Sequence, residues 1–304
     1  MKGKSFWLAL ILIMIFGIQG CTPSGKEESP EAEIQKPATH IGGCVLAVPA
    51  AEAPEDVYQE TEIVPTDEYK PFTKKKMVYG ITLIARDDIS DEFINKVGET
   101  IKAMFSPEGQ GINRELQQEL LRNLYRYRTV IPLFKGRNYE FSPEDEKLWD
   151  ETTRQNSICD IIMEGVSGQV NEVVEHILHH VTDVGFHYTF PEAWGISKNS
   201  RVYKVMEAAI EKNYYDVDQY QDIDEDEVKL RVLIQEFAYW IIYTSWDLRR
   251  TYGPFEAEWS LLTVDELKEL LPQGYQLFED TVPQVMTCPP RELLEQLKKF
   301  ETQD

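Results

Sequence analysis

Four of the five histidines of this 304-residue chain fall in EVVEHILHHVTDVGFH, residues 172–187: His176, His179, His180 and His187. Carboxylates are interleaved with them. Glu172 stands four residues before His176, Glu175 four before His179, and His176 four before His180. On an α-helix, side chains at that spacing stack one turn apart on one face. Two of them reach a single metal ion, which is why HExxH helices hold zinc. The HExxH string itself is absent, and two registers are open. In one, Glu175 and His179 are the ligands and His176 stands where the water-activating glutamate would be. In the other, His176 and His180 are the ligands and Ile177 takes the base position. The same spacing also serves a helix that binds nothing, because Glu/His pairs at i,i+4 stabilise it. A further carboxylate lies downstream. VLIQEFAYWIIYTSW, residues 232–246, is apolar nearly all round and reads as a buried helix, and Glu236 is its only charged residue before Asp247. Burial of that carboxylate demands a basic partner, a hydrogen-bond network or a metal.

These residues need elements to position them. Val170, Val173, Val174, Ile177, Leu178, Val181 and Val184 recur at helical spacing and define a buried stripe. Glu172, Glu175, His176, His179 and Asp183 fall on the other side, with His180 at the border. Upstream, MVYGITLIA (77–85) reads as a strand. Ser90 caps a helix running to about Phe105, and Asn113 caps a second one. TVIPLF (129–134) reads as a second strand, and Ser142 opens a further helix. Beyond residue 142 the chain reads mostly helical, ending in an amphipathic helix after Pro290. The acidic run YYDVDQYQDIDEDEV (214–228) fails the EF-hand template. From Asp216 the third ligand position falls on Tyr220, and from Asp222 the twelfth falls on Leu233. It reads as a solvated loop. His187, Tyr188, Pro191, Glu192 and Trp194 form a loop just after the histidine helix.

Two helices of this kind resemble the gluzincin-type metallopeptidases, in which two ligands come from one helix and a glutamate from a later helix completes the site. EHILHHVTDVGFHYTFPEAWG (175–195) followed by EFAYW (236–240) is similar to the zincin-like domain of the anthrax-lethal-factor type. It looks closer still to poorly characterised secreted bacterial and algal proteins with a Glu-Glu-x-x-His helix, to which EWSLLTVDEL (258–267) also corresponds. The likeness spans roughly residues 77–285. It implies an α+β, predominantly helical, zincin-like metallopeptidase-type domain with a small N-terminal sheet. It implies zinc as cofactor, with Glu175, His179 and Glu236 as metal ligands and His176 in the catalytic base position. An imidazole there departs from the family, and a Glu-His-Glu set leaves less Lewis acidity than His-His-Glu. The implied function is a divergent metal-dependent hydrolase, peptidase-like, of reduced or lost activity, with a peptide or protein substrate. The alternative is a non-catalytic cell-envelope lipoprotein that uses the fold for binding or scaffolding.

Bulk composition narrows the setting. With 53 acids against 31 bases, the net charge of -22 repels nucleic-acid phosphates. The N-terminus has Lys2 and Lys4, an apolar run from Phe6 to Ile18, then Ile-Gln-Gly-Cys. The run is too short and wrongly flanked for a stable membrane span. Its end resembles the bacterial lipobox, which implies a signal peptide over 1–20, lipid attachment at Cys21, and a membrane-anchored protein of the bacterial cell envelope, exposed outside the cytoplasm. Residues 21–75 hold seven of the 16 prolines and many acids. They read as a tether that includes CVLAVPA (44–50), with the domain itself over 76–304. Cys44, Cys159 and Cys288 allow at most one internal disulfide, with no pair favoured by spacing. No CxxC is present.

Overall fold

In the computed structural model, which describes residues 39–137 and 139–302, packing begins at the first described residues and not near Lys76. Strands β1 (His40–Ile41) and β2 (Val45–Leu46) form an antiparallel hairpin. Cys44, Val45 and Leu46 are buried, and Cys44 is disulfide-bonded to Cys159. Val57, Tyr69 and Phe72 are buried too, and β3 (Val64–Pro65) adds an edge strand to the main sheet. The reading of 39–75 as tether is therefore corrected. Composition weighs the many prolines and acids, whereas a few apolar side chains and backbone bonds do the anchoring. The Ala50 and Ala51 N–H groups donate to the Arg126 carbonyl (2.8 and 3.1 Å), and the Tyr79 N–H donates to that of Gln59 (3.0 Å). Cys21, the signal segment and the first part of the tether lie outside the described residues.

The main sheet runs β3-β4-β5-β6-β7, with β4 (Lys74–Val78), β5 (Ile81–Ala85), β6 (Thr129–Lys135) and β7 (Ile162–Glu164). Pairing is antiparallel from β3 to β5 and parallel from β5 to β7. MVYGITLIA is thus two strands. Tyr79 and Gly80 both take positive φ, 51° and 85°, the requirement of a two-residue hairpin turn that matches strand twist. Parallel neighbours need crossovers. Helices α1 (Asp91–Met104) and α2 (Arg114–Arg126) connect β5 to β6, and α3 (Pro143–Gln155) connects β6 to β7. All three begin where their caps dictate. The side chains of Ser90, Asn113 and Ser142 accept the N–H of Phe93, Leu116 and Asp145. The result is an α+β fold, about half helical, with a five-stranded mixed sheet and a two-stranded one.

From β7 the chain enters α4 (Gln169–His180), which continues into a π-helical turn over Val181–Phe186. Short helices α5 (His187–Thr189) and α6 (Pro191–Trp194), then α7 (Arg201–Glu211), lead to the long α8 (Asp226–Ser245). The valine stripe of α4 is buried as its spacing predicts. The opposite face is not solvated, however. Glu172, His176, His179, His180 and Asp183 are buried as well, because α4 packs against both the sheet and α8. The wider π-turn lets Gly185 meet α2 closely. A Cβ there would stand 3.2–3.3 Å from Leu120 and Leu124. Such turns recur beside functional sites.

A candidate metal centre between two helices

The face-to-face packing of α4 and α8 brings three side chains together. One ligand-type atom from each of Glu175, His179 and Glu236 lies within 4.8 Å of the others. Glu175 and His179 arrive from successive turns of α4, and Glu236 from the middle of α8. His179 Nε2 stands 3.5 Å from Glu236 Oε2. Bonds of roughly 2.0–2.2 Å to a tetrahedral zinc place ligand atoms about 3.4 Å apart, so this edge already has the dimension a cation needs. His179 Nε2 is also buried without a hydrogen-bond partner. A buried ring nitrogen that only faces a carboxylate at this distance is poorly satisfied; once its proton is given up, a metal would satisfy it.

The other nitrogen of His179 is firmly held. Its Nδ1–H donates to Asp160 Oδ2 at 2.7 Å. A carboxylate on the far nitrogen fixes tautomer and ring orientation, the usual support of a metal-binding imidazole. Glu175 is held in turn. Asn171 Nδ2 donates to Glu175 Oε2 (2.6 Å), and the Tyr239 hydroxyl donates to Asn171 Oδ1. Tyr239 also sets its ring edge-on to His179, with centroids 5.8 Å apart. Asp160, Asn171 and Tyr239 join the site only through the tertiary structure. Asn171 had a signal, since it precedes Glu175 by four. Asp160 had none, because it comes from an irregular stretch between α3 and β7.

His180 is no ligand. Its Nδ1–H donates to the His176 carbonyl (2.7 Å), and its Nε2 accepts the N–H groups of Cys159 (3.3 Å) and Asp160 (3.4 Å). Both nitrogens are engaged, so the His176/His180 register does not assemble a site. Burial pushes the His180 imidazole down to about 4, and it stays neutral. His176 turns toward carboxylates. Its Nδ1 lies 3.2 Å from Glu172 Oε1 and its Nε2 3.8 Å from Asp160 Oδ2. Glu172 meanwhile accepts the Met163 N–H of β7 (2.7 Å). His187 accepts the Ile196 N–H (3.0 Å), which closes the loop after α4.

Electrostatics set this region apart. Burial, reinforced by the charge of Glu236 and opposed by His176 and His179, pushes the Glu175 carboxyl up to about 8. Burial alone would lower both imidazoles. For His176 the charges of Asp160 and Glu172 outweigh it and raise the group to about 10. His179 is held well above the usual range by Glu236 and Asp160. A further acid stands close by. Glu258 accepts from the Tyr220 hydroxyl (2.8 Å), Trp240 Nε1 (3.2 Å) and Gln219 Nε2 (2.7 Å), and burial with the charge of Glu236 pushes it up to about 7. The acidic loop 214–228 thus contributes Gln219 and Tyr220 to the surroundings of the centre. Comparison of the chain with protein-family models, curated proteins and solved structures gives no match.

Proposed function

We propose that Glu175, His179 and Glu236 bind a divalent cation of the zinc type in a zincin-like domain, peptidase-like in design and reduced or lost in hydrolysis. One observation carries this reading. The triad converges to within 4.8 Å around a buried His179 Nε2 that has no hydrogen-bond partner. Asp160 orients His179, while Asn171 and Tyr239 hold Glu175. When bound, the cation would supply Lewis acidity toward a carbonyl or a water. Two ligand carboxylates, with Asp160 behind, lower the share of that acidity left for a substrate.

The zincin resemblance puts His176 in the base position, and its surroundings argue for weak chemistry there. A general base must hold a lone pair within reach of the proton it takes. Both ring nitrogens of His176 face Glu172 and Asp160, which keep the imidazole protonated at neutral pH. This favours cation binding without efficient hydrolysis, the use of the fold for binding or scaffolding. Lipid attachment at Cys21 would hold the domain at a membrane surface outside the cytoplasm. Among the described residues no helix is long and apolar enough to cross a membrane.

Metal analysis of the zinc-replete protein tests the reading. About one equivalent is expected in the wild type and none in Glu236→Ala. Absence of stoichiometric metal in the wild type would refute it. Given metal, cleavage of a broad peptide library would restore the hydrolase reading over the binding one. Labelled fatty acid should enter the wild-type chain and not Cys21→Ala.

A further inference from the structure

Asp160 is the carboxylate that orients His179, yet no regular element holds it. Residues 158–161 belong to neither helix nor strand, between a bridge at Ser157 and the start of β7. What fixes the stretch is tertiary. Cys159 is bonded to Cys44, and His180 Nε2 receives the N–H groups of Cys159 and Asp160. Gln235 Nε2 donates to Asp160 Oδ2 at 3.5 Å, and Gln235 is itself bonded to the guanidinium of Arg231.

The hairpin that carries Cys44 is anchored independently. Arg231 Nε donates to the Gly42 carbonyl (3.1 Å). The Leu46 N–H donates to Ser157 Oγ (3.0 Å), and the Tyr188 hydroxyl donates to the Leu46 carbonyl (2.6 Å). Gly42 lets the hairpin approach this closely. Its φ is +53°, and a Cβ there would stand 2.4 Å from Arg231 Cβ. The hairpin is thus a fixed post on α8 and α5, and the bridge ties the residue before Asp160 to it.

We infer that the Cys44–Cys159 bridge is a positioning element of the cation centre. It holds Asp160 against His179 Nδ1, so removing it weakens cation binding through Asp160. The inference rests on the metal reading above. It assigns to the N-terminal hairpin a part in the site, although no hairpin residue supplies a ligand to the triad.

The test is a double-mutant cycle on the full chain in detergent, with Zn²⁺ and Co²⁺ as probes and affinities taken by chelator competition. Serine replaces both cysteines because free thiols at 44 and 159, with Asp183, would form a competing ligand group. Loss of an outer-shell partner weakens metal binding about 10–100-fold. Cys44→Ser/Cys159→Ser and Asp160→Asn should each raise the zinc Kd by about tenfold or more. If the bridge acts through Asp160, the two losses do not multiply. In the Asp160→Asn background, removing the bridge should cost no more than about a further twofold. The Co²⁺ absorption spectrum should shift alike in both variants, as a loosened His179 predicts and a merely less stable fold does not.

Zinc binding by the serine variant within about twofold of wild type, or losses that multiply, overturns the inference and leaves the metal reading standing. A wild type that binds neither ion overturns both. Should the serine variant fail to fold, the bridge of the folded wild type is opened instead with a phosphine. The phosphine takes oxygen from water and leaves two thiols, which iodoacetamide then caps. The same outcomes apply.

Discussion

Two buried charge clusters lie side by side on α8, and they are answered differently. In one, Asp183 of the π-turn faces Arg231, with Nη1 3.7 Å from Oδ2, and both side chains are almost wholly buried. A guanidinium never gives up its proton in a protein, so this cluster carries its own permanent cation. In the other, Glu175 and Glu236 face His179, and the cations bearing on Glu175 are the imidazoles of His176 and His179. An imidazole carries a removable charge. Glu175, His179 and Glu236 are the residues that would hold a metal ion, and its binding at His179 Nε2 would require that nitrogen to give up its proton. Asp183 is almost wholly buried, whereas Glu175 and Glu236 are partly buried. The kind of counter-charge is what separates a structural core from a candidate site.

The largest expected effect breaks the exchangeable cluster. His179→Ala removes the central ligand and should abolish stoichiometric zinc, read by metal analysis, while Arg231→Met should weaken zinc binding without abolishing it in the fraction that folds, because Arg231 anchors the hairpin and Gln235 but supplies no ligand. Next comes the permanent cluster. Arg231→Met leaves the buried Asp183 without its cation; burial already pushes that carboxyl up to about 7, so the loss of stability, up to about 3–5 kcal/mol, should appear above that pH, measured by denaturant unfolding. His179→Ala should not approach that loss. If the two variants show the same profile, the distinction between the clusters fails.

The pH dependence sharpens the comparison. Glu175 rises from 4.5 to about 8 and His176 from 6.5 to about 10. The metal-free folded state therefore binds more protons than the unfolded one across these windows. Its stability should fall as pH rises from about 4.5 to 8 for Glu175 and from about 6.5 to 10 for His176. His180 has the opposite sign. Lowered from 6.5 to about 4, it costs stability as pH falls through that window. Zinc binding displaces protons, so affinity should climb with pH toward about 8. Melting curves with and without zinc check both trends, and Glu175→Gln should flatten the first. The smallest effect is expected from Tyr239→Phe. It frees Asn171 and should weaken zinc binding about tenfold with little change in melting temperature.

Local rules were readable where a local interaction decides the structure. The caps Ser90, Asn113 and Ser142 set three helix starts, and the valine spacing of α4 marked its buried stripe. The same is true of the pairing of Glu175 with His179, since i,i+4 geometry belongs to the helix alone. A lone carboxylate in an apolar helix marked Glu236 as a residue in need of a partner. The Tyr79–Gly80 turn leaves little local mark, because its apolar flanks run on as one strand.

By itself, then, the sequence determined the helices, the periodic core and which acidic and imidazole groups share a helix face. Only the tertiary structure decided that Glu236 meets His179, that His180 serves the backbone and that His176 turns away to Glu172 and Asp160. Only it shows that residues 39–75 pack and that Cys44 selects Cys159 over Cys288. The reason is physical. Helix geometry is fixed within a turn or two of chain, whereas Asp160, Glu236 and Cys44 reach the centre through links that span from 19 to 115 positions in sequence, and no local pattern records which distant partner will satisfy a buried charge.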